Sequence, residues 1–154
     1  DARDPRHVAH VIAELFGGGT ATPFPPVSEG SWLAMADDER ATAVEVYPRG
    51  TRLEERDGDF DAVGVYDEAA RRVPGFSTHF AMATRLSRGD VMAIAMREGW
   101  PAKYRKRGGV FGVIEFWIEG ERMIEVLDQQ MQAEYLAAMT VDNWTSFIAE
   151  HAPA

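Results

Sequence analysis

Alternation of apolar and polar positions divides the second half of the chain into strands and one helix. Four segments have the period of two that is typical of strands, and one repeats its apolar residues at helical spacing. The strand segments are residues 78–85, 101–107, 110–118 and 121–128. The helical segment is residues 87–99, and its apolar stripe consists of Val91, Met92, Ala95 and Met96. Together these segments predict one compact βαβββ unit.

The first half shows a related pattern with one strand fewer. Asp4 and Pro5 are typical of a helix start, and residues 5–16 form an amphipathic helix that ends at three glycines. Its apolar stripe is Val8, Val11, Ile12 and Leu15. The proline-rich segment that follows can form only an edge strand. Two further strands are predicted within residues 31–38 and 41–48.

The remaining segments complete a four-part division of the chain. Residues 49–75 are rich in charge and glycine and predict a linker, with one short strand in DAVGVYD. Residues 129–154 predict two short helices that lean on the sheet or on a partner subunit. The predicted organisation is a first unit at 1–48, the linker at 49–75, a second unit at 76–128 and C-terminal helices at 129–154.

The two halves match in spacing, which indicates a duplicated unit. Glu45 and Glu125 stand at equivalent places 80 residues apart, and Trp32 and Phe111 correspond at 79. The counterpart of the strand that contains His79 falls at or before Asp1. We therefore expect residues 1–3 to be the trailing end of a first strand, with five to ten further residues upstream in the native protein.

Composition and charge narrow the classes of partner. The chain has 154 residues, 45% of them hydrophobic, and a net charge of −9, so one domain or two small fused modules are expected. The acidic balance argues against nucleic acid and anionic membranes as partners. There is no cysteine, which excludes disulfides and thiolate chemistry. No apolar run is long enough to span a bilayer, and the expected location is the cytoplasm.

Two tandem βαβββ units, each with a carboxylate on its last strand, resemble the vicinal oxygen chelate superfamily, which includes glyoxalase I, bleomycin-resistance proteins and extradiol dioxygenases. The resemblance covers residues 4–48 and 76–128. It implies an α+β fold in which the two units form a curved mixed-sheet cup, with C-terminal helices added. It also implies metal ligands at His79, Glu45 and Glu125, with a fourth position upstream of Asp1.

The resemblance leaves two functions open. One is a metal-dependent lyase, isomerase or dioxygenase in which Zn²⁺, Ni²⁺, Mn²⁺ or Fe²⁺ polarises a bidentate oxygen substrate, with Glu45 or Glu125 as the catalytic carboxylate that moves a proton. The other is a metal-free protein that sequesters a small molecule. Strand parity places His79, Ala81 and Ala83 on one face, which is expected to line a cavity, and Phe80 and Met82 on the other, which is expected to pack on helices. The structural alternative is that both glutamates are half-exposed strand residues and His79 begins a strand.

Other candidate residues have weaker patterns. Large aromatic side chains could line an apolar substrate pocket or complete the core; they are Trp32, Tyr47, Trp100, Tyr104 and Trp117. A basic segment, Lys103 with residues 105–107, could meet an anionic substrate group or form a solvated edge strand. His7 and His10 could share a metal, although surface histidines are the simpler interpretation. A homodimer is expected from exposed strand edges and the apolar stripe at Met131, Tyr135, Leu136 and Met139.

Overall fold

The computed structural model describes residues 1–24, 28–39, 41–54, 63–69, 79–143, 146 and 150. The chain is α+β, as the sequence predicts. Its helices are α1 (Pro5–Leu15), α2 (Arg88–Glu98) and α3 (Gln129–Ala138), and residues 141–143 are also helical. Its strands are β1 (Thr20–Pro23), β2 (Trp32–Met35), β3 (Ala43–Val46), β4 (Thr51–Glu54), β5 (Val63–Tyr66), β6 (Ala81–Ala83), β7 (Ala102–Arg107), β8 (Phe111–Ile118) and β9 (Arg122–Leu127). None of the helices in the described part of the chain is long and apolar enough to cross a membrane.

The chain divides into two compact units. Unit 1 consists of Asp1–Thr78 together with Ile118–Arg122, and unit 2 consists of His79–Trp117 together with Met123–Ala154. The short segment Ile118–Arg122 is the turn between β8 and β9. Each unit has its own sheet and its own helix packed on that sheet.

Unit 1 contains an antiparallel sheet in the order β1-β2-β3, with α1 packed on it. The proline-containing strand β1 lies at the edge of this sheet, as predicted from its sequence. Ala2 forms a parallel bridge to Pro48, just beyond the end of β3. The backbone N–H of Arg49 donates to the carbonyl of Ala2 at 2.8 Å. The first residues of the chain therefore pair beside the last strand of this sheet.

Helix α1 forms where the sequence predicts it. The side chain of Asp4 accepts a hydrogen bond from the backbone N–H of His7 at 3.0 Å, and Pro5 occupies the first turn. All four predicted stripe residues are buried, together with Ala9 and Ala13. Gly19, which follows the helix, is required by close packing, because a Cβ there would lie 2.2 Å from the carbonyl oxygen of Met35.

A two-stranded hairpin, β4 with β5, lies inside the segment that the sequence assigns to a linker. The short strand expected in DAVGVYD is present as Val63–Tyr66. Its partner β4 was not predicted, because Arg52 and Glu54 break the apolar alternation of that segment. An ion pair between these two side chains, 2.6 Å from Nη2 to Oε1, accounts for the charged positions.

Unit 2 contains a four-stranded sheet in the order β6-β9-β8-β7. The first strand, β6, pairs in parallel with the last strand, β9, while β7 and β8 are antiparallel. All four strands lie within the segments that the sequence predicts. Strand β8 is interior, and its fully buried residues are Val113, Ile114 and Phe116.

Helix α2 has the expected ends and buries part of the predicted stripe, together with Ile94. Ser87 and Asp90 form a reciprocal capping box, and Gly99 ends the helix in the left-handed conformation with φ 68°. The buried residues are Val91, Ile94 and Ala95, whereas Met96 is 82% exposed. The predicted stripe was therefore wrong at Met96, because the sheet lies against the i, i+3, i+4 set that starts at Val91.

Helix α3 begins at a cap and buries only part of its predicted stripe. Asp128 accepts the backbone N–H of Met131 at 2.9 Å, and Met131 is buried. The ring of Tyr135 packs edge-on against Phe111 with centroids 5.1 Å apart. Leu136 and Met139, in contrast, are exposed. The second C-terminal helix was predicted to bury Trp144, Phe147 and Ile148, which lie outside the described residues.

Candidate functional site

The parallel pairing of β6 with β9 brings the predicted strand of His79 next to Glu125. Ala81 is the register partner of Glu125, whose backbone N–H donates to the carbonyl of Phe80 at 2.9 Å. Register partners project to the same side of a sheet, so Ala81 and Glu125 share a face. Ala81 and Ala83 are exposed and Met82 is buried, as strand parity predicts. His79 lies just before β6, is exposed, and extends this alternation.

One part of the parity prediction for this strand is wrong. Phe80 was expected to pack on a helix together with Met82, but its side chain is exposed. Phe80 stands before the first residue of β6, where the pairing with β9 is only beginning. The burial of alternate residues therefore starts at Met82.

Glu125 forms an ion pair with Arg107 on the sheet face opposite α2. The Nε and Nη2 atoms of Arg107 lie 3.2 Å and 2.5 Å from Oε1 of Glu125. The Nη1 atom of Arg107 lies 2.9 Å from Oε1 of Glu115. Arg105 approaches Glu115 from the same strand at 3.5 Å. The hydrogen bond to Glu125 raises the pKa of Arg107, so this guanidinium stays charged. We call Arg107, Glu115 and Glu125 the carboxylate–guanidinium trio.

The face of the trio follows from strand register. Tyr104 is the partner of Ile114 and lies under the guanidinium of Arg88, the first residue of α2, at 5.0 Å. The side of β7 and β8 that carries Tyr104 and Ile114 is therefore the side that α2 covers. Arg107 lies three residues after Tyr104 on β7. Because successive side chains of a strand point to opposite faces, Arg107 projects to the other side.

Glu45 lies in unit 1 on the last strand of its sheet, opposite Leu33 in the register of β2 and β3. It is exposed, and its carboxylate accepts a hydrogen bond from the hydroxyl group of Tyr47. Burial of the phenol, and then the bond to Glu45, raise the pKa of Tyr47 to about 12. This tyrosine therefore stays protonated at neutral pH and acts as a donor.

The carboxylates that the family resemblance implies as metal ligands already accept hydrogen bonds from neighbouring side chains. Within the described residues, no three histidine, aspartate or glutamate side chains stand where they could hold a metal ion together. A carboxylate that coordinates a cation must also face it with free oxygen lone pairs. Oε1 of Glu125 already accepts from Arg107, and Oε2 of Glu45 accepts from Tyr47.

Of the five predicted pocket aromatics, Trp32 packs against α1 and Trp100 packs against β8. Trp32 lies beneath α1, with the guanidinium of Arg6 at 5.6 Å and the ring of His10 at 5.5 Å from its ring. Trp32 and Glu45 have opposite parity in the β2–β3 register, so they lie on different faces of that sheet. Trp100 contacts Phe116 edge-on, with centroids 6.0 Å apart.

The other aromatics have separate surroundings. Tyr47 donates to Glu45, as described above, and Tyr104 stacks under Arg88. Trp117 is half-buried on the same side of β8 as Glu115, and its backbone N–H donates to the carbonyl of Pro101 at 2.9 Å. Tyr47 and Trp117 thus project from the same sheet faces as the predicted glutamates of their own units, whereas Trp32 and Tyr104 do not.

The basic segment lies on the edge strand β7, and three of its four cations have carboxylate partners, namely Arg105, Lys106 and Arg107. The ammonium group of Lys106 lies 2.7 Å from Oε2 of Glu134, which also accepts the backbone N–H of Gly112 at 2.8 Å. Arg105 and Arg107 pair with Glu115 and Glu125. The basic residues therefore neutralise acidic neighbours on this sheet edge, which supports the edge-strand interpretation.

A shallow cavity along α1 contains the two histidines considered for metal binding. It is lined by Asp4, Arg6, His7 and His10. Nδ1 of His10 lies 2.8 Å from the carbonyl oxygen of Arg6, four residues before it. The position of Arg6 beside these rings makes the site unfavourable for a cation, which agrees with surface histidines as the simpler interpretation.

Sequence reasoning missed three residues that the structure brings to prominence, namely Arg88, Glu115 and Glu134. Glu115 carried a detectable signal, because a charged residue in the middle of an interior strand needs a partner nearby. No family model, curated protein or solved structure matches the chain.

Proposed function

We propose that the protein consists of two related βαβββ modules of vicinal oxygen chelate type and binds a small molecule without a metal ion. The strand order supports the module. In unit 2 the first strand is parallel to the last, and in unit 1 the bridge from Ala2 to Pro48 occupies the corresponding position. The spacing of 80 residues between Glu45 and Glu125 fits the same duplication.

The ion pair between Arg107 and Glu125 is the observation that carries the metal-free proposal. In the metal-dependent alternative, Glu125 is a ligand and must release the guanidinium to bind the ion. Breaking a partly buried pair leaves an unbalanced charge, which opposes that exchange. The side chain of Glu125 is mostly buried, so water screens this charge only in part.

The paired charges of the trio and Arg105 favour an uncharged polar ligand. Glu115 and Glu125 supply two negative charges, and Arg105 and Arg107 supply two positive ones. A charged molecule would compete with one of these pairs, whereas hydroxyl and amide groups can bond to the remaining donors and acceptors. Ala81 and Ala83 leave room beside Glu125 on this face. We also propose that the protein acts in the cytoplasm, on molecules that diffuse freely.

Metal analysis separates the two functions at low cost. Protein purified without a histidine tag is dialysed against Mn²⁺, Fe²⁺, Ni²⁺ or Zn²⁺, and the retained metal is measured by mass spectrometry. We expect far less than one ion per chain. The metal-dependent enzyme would be established instead if the wild type retains one ion per chain and if both His79→Ala and Glu125→Gln fail to retain it.

A ligand screen tests the binding function directly. Uncharged polyols, amides and phenols are screened by thermal shift, and we expect a binder whose effect disappears in Arg107→Gln and Glu125→Gln. Glu121→Gln, in the β8–β9 turn, serves as the matched control and should keep the effect. A binder that stabilises all four proteins equally would contradict binding at the trio.

A further inference from the structure

Unit 2 contains a cavity of about 330 Å³ on the side of its sheet that α2 covers. Two parallel neighbouring strands lead to it: β6 continues into α2 through the cap Ser87, and β9 continues into α3 through the cap Asp128. Crevices beyond the carboxyl ends of adjacent parallel strands are frequent ligand sites in α/β sheets. The volume lies at the lower end of the range for small-molecule sites.

Most of the polar groups in this cavity already have partners. Glu134 accepts from Lys106, from the backbone of Gly112 and from Gln130, the last at 3.1 Å. These bonds lower the pKa of Glu134, the bond to Lys106 most of all, so the group stays ionised and forms a fixed wall. Ser87 is likewise committed to its capping box.

Two charged groups of the lining have unused bonding capacity. Oδ1 of Asp128 accepts the N–H of Met131, and Oδ2 has no hydrogen-bond partner among the described residues. Arg88 lies over the ring of Tyr104 and forms no ion pair within the described part of the chain. The cavity therefore has one available carboxylate oxygen and one available guanidinium. The ring of Tyr104 and the side chain of Met131 supply apolar surface beside them.

This combination selects a molecule with both charges. A simple anion would pair with Arg88 but meet the carboxylates of Asp128 and Glu134. A simple cation would pair with Asp128 but meet Arg88. A molecule that carries an ammonium group and a carboxylate satisfies both groups, and an aromatic ring can contact the part of Tyr104 that Arg88 leaves exposed, since this tyrosine is 39% exposed.

We propose that this cavity binds an aromatic α-amino acid, with its carboxylate on Arg88, its ammonium group on Asp128 and its ring against Tyr104 and Met131. The site is separate from the carboxylate–guanidinium trio, because Tyr104 and Arg107 project from opposite faces of β7. It does not depend on the proposed function.

Three probes with the same ring test the proposal by titration calorimetry. L-phenylalanine carries both charges, 2-phenylethylamine carries only the ammonium group, and 3-phenylpropanoate carries only the carboxylate. A hydrogen bond to a charged group contributes enough binding free energy that the loss of either charge should weaken binding about tenfold. We therefore expect phenylalanine to bind at least about tenfold more tightly than either analogue.

Two variants locate the binding. Arg88→Gln should reduce the affinity for phenylalanine to that of the amine, and Asp128→Asn should reduce it to that of the propanoate. Asparagine is as good a helix cap as aspartate, so the second variant keeps α3 intact. Arg88 is exposed, and its variant provides the test even if Asp128→Asn fails to fold.

Arg97→Gln, at the other end of α2, and Arg107→Gln, on the other sheet face, are matched controls that should bind phenylalanine normally. The proposal is overturned if the three probes bind equally, if none saturates at millimolar concentration, or if phenylalanine binding survives in Arg88→Gln. Loss of binding in Arg107→Gln but not in Arg88→Gln would overturn it as well and assign the ligand to the trio.

Discussion

Glu119 and Arg49 form a buried ion pair in unit 1. The guanidinium Nη2 of Arg49 lies 3.0 Å from Oε2 of Glu119, and the two side chains are only 9% and 8% exposed. The same carboxylate accepts the backbone N–H groups of Arg3 at 2.8 Å and Asp4 at 3.1 Å. A single side chain from the β8–β9 turn therefore satisfies donors just before α1 and in the turn after β3.

We predict that Glu119→Ala destabilises the protein by about 3–5 kcal/mol, because it leaves the buried charge of Arg49 without its buried partner. Urea unfolding followed by circular dichroism measures the change. Glu121→Ala is the matched control: Glu121 also contacts Arg49, at 2.7 Å, but is 42% exposed. Its loss should cost less than about 1 kcal/mol. Equal losses in the two variants would contradict the importance of burial.

Local pattern was sufficient to predict most of the elements and their ends. The cap at Asp4 and the stop at Gly99 act within one turn of the chain, so sequence alone identifies them. The buried face of α1 was also read correctly, since one continuous apolar stripe left no choice. In α2, apolar residues surround much of the helix, and the position of the sheet decided that Met96 is exposed.

For the candidate site, the sequence could predict on which sheet face a strand residue lies, but not which residues contact each other. The neighbouring positions of β6 and β9 followed from the expected unit, and the exposed alanines confirm the parity of β6. The partner of Glu125 did not follow, because β8 separates β9 from β7 and the long side chain of Arg107 spans that distance. Such a contact depends on strand order and register together, which short-range pattern does not encode.

We predict that Gly19→Ala is more destabilising than Gly99→Ala. At Gly19 the added Cβ would meet the carbonyl oxygen of Met35 at 2.2 Å, so backbone must move. At Gly99 nothing lies within 4 Å of the added atom, and only the left-handed conformation is unfavourable, by about 1–2 kcal/mol. Thermal unfolding of both variants provides the comparison. A larger effect at Gly99 would show that the segment after α1 adjusts easily.

The stability contributed by Glu134 should depend on pH in a defined direction. Lys106, the N–H of Gly112 and Gln130 lower the pKa of Glu134 below its ordinary value of 4.5. Because the pKa is lowered in the folded state, the ionised side chain stabilises the fold fully above pH 4.5. This contribution is lost as the pH falls through the folded-state pKa. Glu134→Gln should therefore be less stable than the wild type at neutral pH, and the difference should vanish in acid.

Urea unfolding across this pH range measures the effect of Glu134→Gln. Glu29→Gln, at an exposed glutamate, is the control and should follow the wild type throughout. A difference between wild type and Glu134→Gln that stays constant down to strongly acidic pH would mean that the side chain acts through packing and not through its charge.

The exposed apolar residues at the end of α3 and just after it lead to the last prediction, that the protein forms a homodimer through this part of the chain. Leu136 is 74% exposed and Val141 is 82% exposed, and Met139 lies between them along the chain. Such residues close together are typical of an interface, whereas a single exposed apolar side chain is common on any surface. We expect light scattering at micromolar concentration to give the mass of two chains for the wild type and the mass of one chain for Leu136→Asp.

Met96→Asp is the matched control. Met96 is 82% exposed on α2, and its substitution should leave the dimer intact. A monomeric wild type, or dissociation caused equally by both substitutions, would exclude α3 as the interface.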